Sequence, residues 1–153
     1  MTNRQLVHAG PGAGHYLAPM ATILAHLTVK PGAEARFEQI ARDLYAATHE
    51  HESAVLRYEY WRGAAERTYY TLLSFTDFPT FIAHQTSPHH EAASPQLGTV
   101  LESIRLEWVD PISGASGLPA THHVAAPDDA DELTRRYTDR YSAQIADWWL
   151  AQR

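Results

Sequence analysis

Alternation of apolar and polar positions starts at residue 20. Over residues 20–30, Ile23, Ala25, Leu27 and Val29 fall on one side and Thr22, Leu24, His26 and Thr28 on the other. This period of two marks a strand, and Pro31-Gly32 ends it. The period then lengthens. Phe37, Ile40, Ala41, Leu44 and Thr48 share one stripe over residues 33–50, with Glu34, Arg36, Glu38 and Arg42 mostly outside it, which predicts a helix. Residues 55–61 alternate as a second strand, Gly63-Ala64-Ala65-Glu66 makes a hairpin turn, and residues 68–75 form a third strand. Asp77 suits the N-cap of a second helix reaching about Thr86, with Pro79 tolerated in its first turn. Pro88 and Pro95 are expected to break the next stretch into short pieces, with a helical turn or two over residues 96–102. Residues 103–109 read as a fourth strand, closed by Asp110-Pro111.

The order strand, helix, strand, strand, helix, strand predicts an α+β fold of the ferredoxin-like split βαβ kind, with a four-stranded antiparallel sheet over residues 20–111. Strands 1 and 3 carry large apolar or aromatic groups on both sides. A sheet with two apolar faces needs two covers, and a second copy of the same sheet supplies one, so a homodimer is expected. Residues 1–19, with Gly10-Pro11-Gly12, read as a flexible arm, and residues 112–127, rich in Pro, Gly, Ala and Ser, as a linker. Residues 128–153 read as an extra amphipathic C-terminal helix. Leu133, Tyr137, Tyr141, Ile145 and Trp149 recur every fourth residue, a stripe that calls for docking on the domain or a partner.

Composition narrows the chemistry. The chain has 153 residues, enough for one self-sufficient core, and a formal net charge of -6. Without a basic stripe, nucleic acid is not an expected partner. The absence of Cys excludes disulfides, thiolate nucleophiles and Fe–S clusters. No apolar run has the length of a membrane span or signal peptide, so a cytoplasmic location is expected. Ten His residues make an imidazole-based site plausible.

Three stretches resemble the antibiotic biosynthesis monooxygenase domain of the dimeric α/β-barrel superfamily. They are Thr28-Val29-Lys30-Pro31-Gly32 before a helix, Glu52-Ser53-Ala54-Val55-Leu56-Arg57-Tyr58-Glu59, and Phe75-Thr76-Asp77 followed by Phe81-Ile82-Ala83-His84 and Ser87-Pro88-His89. The second is similar to the family's Glu-Pro-Gly-Cys-Leu-x-Tyr-Glu pattern, with Ala54 in place of Gly. The resemblance implies the fold above, a dimeric α/β barrel, and a pocket for a small molecule. The Glu usual in the third strand falls at Leu73. The Asn and His that haem-degrading relatives use fall at Ala25 and Ser94, which disfavours haem degradation.

His84, one turn after Phe81 near the end of helix 2, is the first candidate catalytic residue, as a base toward a phenol or an activated C–H. Its bland alternative is a His that merely closes the helix. Tyr58, which the resemblance matches to a strand-2 Tyr, is the second, as a donor to a substrate oxyanion. Tyr69, Tyr70, His26, Leu73, Phe81, His90 and Trp108 are the candidate substrate-binding residues. His26 lines either the pocket or the dimer interface, depending on strand parity. His84, His89 and His90 suggest a metal only weakly. Adjacent side chains on an extended chain point apart, and Glu91 is the nearest carboxylate in sequence. No metal or cofactor is therefore expected, with molecular oxygen as co-substrate.

These features point to a cofactor-independent monooxygenase acting on a small aromatic, quinol-like or polyketide-derived substrate. Two alternatives stay open. One is a cofactor-free isomerase, cyclase or decarboxylase on the same fold. The other is a non-catalytic ligand-binding dimer.

Overall fold

The computed structural model describes residues 20–153; the arm expected over residues 1–19 lies outside the described residues. Four strands form one antiparallel sheet in the order β2-β3-β1-β4, with β1 at Ala21–Val29, β2 at Val55–Arg62, β3 at Thr68–Phe75 and β4 at Leu101–Trp108. Helix α1 (Glu34–His51) joins β1 to β2, and helices α2 (Phe78–Gln85) and α3 (Pro88–Val100) join β3 to β4. This is the ferredoxin-like arrangement that the alternation called for, with element boundaries within two residues for all four strands and for α1.

Register decides which side chains meet the helices. Ile23 lies opposite Leu73 on one side and Trp108 on the other, and Tyr58 lies opposite Leu73 from β2. Ile23, Ala25, Leu27, Tyr58, Leu73 and Phe75 therefore share a face, and all are buried. Helix α1 brings to that core the stripe its spacing predicted: Phe37, Ile40, Ala41, Leu44 and Thr48. The opposite face carries Leu24, His26, Tyr70, Leu72 and Trp61, so its apolar groups alternate with polar ones. The β2–β3 hairpin turns at Gly63, where an added Cβ would come within 2.9 Å of the Tyr70 ring.

Three connections differ from expectation. The stretch after α2 is one helix of 13 residues rather than short pieces. Pro88 begins it, where a missing N–H costs nothing, Ser87 caps it, and Pro95 is carried inside. The expected linker is docked: fully buried Thr121 hydrogen-bonds Val109 O through Oγ1 (2.7 Å), and its N–H donates to Asp110 (3.0 Å). The continuous helix expected over residues 128–153 is two helices, α4 (Glu132–Arg140) and α5 (Asp147–Leu150). Between them, Ala143 N–H donates to His123 Nδ1 at 3.2 Å, and Ser142 O accepts from Trp108 Nε1 at 3.1 Å. These tertiary bonds replace helical ones and override an uninterrupted four-residue apolar recurrence. No described helix is long and apolar enough to cross a membrane.

Candidate functional site

Four of the candidate residues, Phe81, Trp108, Tyr69 and His84, border three separate concavities among the described residues. The first lies under the C-terminal segment. Phe81 from α2, Trp108 from β4, and Tyr141, Ile145 and Trp149 from beyond α4 wall a cavity of about 600 Å³ floored by Ile23. Trp108 and Tyr141 meet Phe81 edge-on, with centroids 5.3 and 5.9 Å away. Arg140 stands at its rim, its guanidinium 5.3 Å from the Tyr141 ring centroid. The segment is held at both ends. Arg153 makes a bidentate pair with Asp110 (2.7 and 3.0 Å) and reaches Thr121 O at 2.7 Å, while Tyr137 donates its hydroxyl to Glu91. Burial raises the Asp110 carboxyl, but the Arg153 hydrogen bond is the larger effect and holds it below its ordinary value.

The second concavity, also about 600 Å³, lies between α1 and the edge of β2–β3, with Phe37, Tyr60, Trp61 and Tyr69 among its walls. Tyr69 donates its hydroxyl to Glu38 at 3.0 Å. Arg62 binds the same carboxylate at 2.7 Å through two nitrogens and, as the main cause, lowers its pKa to about 2. A carboxylate so acidic is a fixed charge and no base at neutral pH.

The third is a groove of about 720 Å³ between the end of α1 and the α2–α3 turn. His84 is buried on its wall. His84 Nδ1 lies 2.9 and 3.0 Å from the two Glu52 oxygens, and His89 Nε2 lies 2.6 Å from Oε1. Burial pushes the Glu52 carboxyl up, but the hydrogen bonds and charges of the two imidazoles outweigh it and leave the pKa below ordinary. Ser87 Oγ is 3.1 Å from the same His89 nitrogen that meets Glu52, so these residues are not strung through opposite ring nitrogens as a hydrolase triad would be.

The structure brings His84 and Tyr58 together, with ring centroids 4.9 Å apart, and Phe75 packs on His84 at 5.2 Å. Neither lines the Phe81–Trp108 cavity. The Tyr58 and Tyr60 hydroxyls pair at 2.9 Å; burial raises both pKa values, that of Tyr60 to about 12. His90 stacks edge-on against His84 at 4.9 Å, and burial drives its pKa down to about 4, which keeps it neutral. Leu73 sits in the core between strands. His26 and Tyr70 pack together on the far face, 5.5 Å between rings, with His26 Nε2 2.9 Å from Glu107. They share no site with His84.

Sequence reasoning missed Glu52, Glu38 and Arg140 as site residues, while the stripe of Tyr141, Ile145 and Trp149 docks on the domain as its spacing called for. Glu52 was visible only as the head of a family-like stretch. Its place beside His84 depends on α1 ending at His51, one residue before it.

The family model for antibiotic biosynthesis monooxygenases matches residues 20–96. No curated protein sequence matches the chain significantly. Among solved structures, a provisionally named antibiotic biosynthesis monooxygenase from Caulobacter crescentus superposes with a TM-score of 0.59 at 25% identity, over 63% of this chain and 93% of its own. One of the same description from Nitrosomonas europaea gives a TM-score of 0.59 at 12% identity, over 67% and 99%. Rv0793 from Mycobacterium tuberculosis gives 0.58 at 17%, over 63% and 99%. Each of these domains is nearly complete in the match, while about a third of this chain has no counterpart in them. The chain belongs to the antibiotic biosynthesis monooxygenase family.

Proposed function

We propose that the protein is a cofactor-independent monooxygenase for a small, flat, electron-rich substrate of quinol or polyketide-derived type, held beneath residues 140–149. The observation that carries this reading is the cavity walled by Phe81, Trp108, Tyr141 and Trp149. Aromatic walls recognise a planar ring by stacking and edge contacts. Arg140 and Arg105 also border the cavity, and Glu107, paired with Arg105 at 3.1 Å, offsets one of them. The remaining positive charge favours the anionic form of a phenol or enol and stabilises the anion once formed.

The chemistry asks little else of the protein. An activated CH2 loses a proton to water at the cavity mouth. The carbanion passes one electron to oxygen, and the resulting radical and superoxide combine into a peroxide. Protonation and loss of water leave a carbonyl, so that CH2 plus O2 becomes C=O plus H2O. The walls keep the radical pair together and dry. His84 and Tyr58 serve from behind: His84 packs on Phe75, which packs on Phe81 at 5.6 Å, so the pair fixes the wall rather than touching substrate.

The working form in this reading is a homodimer, as is typical of the family. The sheet face opposite the helices offers Leu24, Leu72 and Trp61, the last 58% exposed, to a second copy. Light scattering should give twice the chain mass; a monomer at micromolar concentration would refute the dimer.

Chelator-treated protein supplied with anthrones and hydroquinones should consume one O2 per substrate. Turnover that continues unchanged without oxygen sinks the monooxygenase reading. Tyr141→Ala should raise KM more than it lowers kcat.

A further inference from the structure

We infer that Glu52, His84 and His89 form a binding site for a divalent first-row transition-metal ion. Their ligand atoms, one from each residue, all lie within 4.8 Å of one another. Metal–ligand bonds of about 2.0–2.1 Å place neighbouring ligands roughly 2.8–3.4 Å apart for angles between the octahedral and tetrahedral values. The 2.9 Å between Glu52 and His84 is already close to that spacing, and the 2.6 Å between Glu52 and His89 needs an opening of a few tenths of an ångström. Two imidazoles and one carboxylate are a donor set for zinc, nickel, cobalt or iron rather than for calcium or magnesium, which take oxygen ligands.

The surroundings fit a site rather than a clamp alone. All three residues border the groove between α1 and the α2–α3 turn, which gives an ion access and leaves positions for water or a small anion. His51 borders the same groove, its ring 5.9 Å from that of His89. Ser87 ties the backbone between the two imidazoles: its Oγ–H donates to His84 O at 2.7 Å. Such outer contacts hold ligands in place. A second observation points the same way. His84 Nε2 and His90 Nδ1 are buried with no hydrogen-bond partner among the described residues, and the two rings are 4.9 Å apart. A metal on His84 Nδ1 puts that ring's proton on Nε2, on the side facing the His90 ring. The site shares no residue with the cavity beneath the C-terminal segment, and it stands or falls apart from the oxygenase reading.

Chelator-stripped full-length protein should be titrated calorimetrically with Zn2+ and followed by visible absorption with Co2+. One ion per chain is expected. Glu52→Gln and His89→Gln should each weaken binding about 10- to 100-fold, while His122→Gln and His26→Gln leave it unchanged. Far-UV circular dichroism confirms folding. If Glu52→Gln does not fold, His89→Gln, half-buried at the groove, decides alone. No binding by the wild type overturns the inference, and so does binding that survives His89→Gln or is lost with His122→Gln.

Discussion

Replacing Arg153 by alanine should loosen the segment that roofs the aromatic cavity. Arg153 spends three hydrogen bonds there: two on Asp110 (2.7 and 3.0 Å) and one on Thr121 O (2.7 Å). The pair is largely buried, with side-chain exposures of 22% and 11%. Hydrogen bonds to charged groups contribute about 1.5–3 kcal/mol, and exposed ion pairs about 0–1 kcal/mol. Asp110 keeps the Thr121 N–H after the substitution, so its charge is not left bare. A loss of about 2 kcal/mol follows, or about 4–8 °C in Tm at this chain size. The pH dependence has a definite sign. The folded-state pKa of Asp110 is depressed, chiefly by Arg153. That stabilisation is complete above the ordinary carboxylate range, near about pH 4, and fades as pH falls through the depressed value. Thermal unfolding at about pH 7 should therefore separate wild type from variant, and the gap should narrow progressively as pH falls below the ordinary carboxylate range. Hydrogen exchange should quicken over residues 141–153. Equal Tm values near neutrality, or a gap that widens on acidification, would refute the reasoning.

Three further substitutions probe other links. Phe37→Ala removes a fully buried ring from α1 and should cost about 3–5 kcal/mol by denaturant unfolding. Asp77→Ala deletes the α2 cap, whose side chain accepts from Thr80 N–H at 2.7 Å, and should cost about 1 kcal/mol in the same assay. Arg62→Ala should leave the denaturant midpoint close to that of the wild type despite its two 2.7 Å contacts with Glu38, because Arg62 is 76% exposed and the pair is screened.

Local periodicity carried most of the fold. The α1 stripe of Phe37, Ile40, Ala41, Leu44 and Thr48 is buried as its spacing implies, and β3 begins and ends where alternation placed it. The C-terminal segment shows where periodicity fails. Tyr137, Tyr141, Ile145 and Trp149 are spaced for one helix, yet Trp108 and His123 take the backbone groups of Ser142 and Ala143 and break it. Those partners lie 20 or more residues away and leave no local trace. The same holds for the candidate sites. His84 could be singled out one turn after Phe81, but its companion Glu52 lies 32 residues earlier. Adjacent His89 and His90 suggested opposite directions on an extended chain. On α3 they diverge differently: His89 reaches Glu52, and His90 packs against His84.

The central claim is the place where an aromatic substrate sits. The most direct measurement is a crystal structure of the protein soaked with a non-oxidisable hydroquinone analogue. The expected result is ring density between Phe81, Trp108 and Tyr141, with an oxygen toward Arg140. Density instead beside Phe37 and Tyr69, or in the groove next to His84, would contradict it.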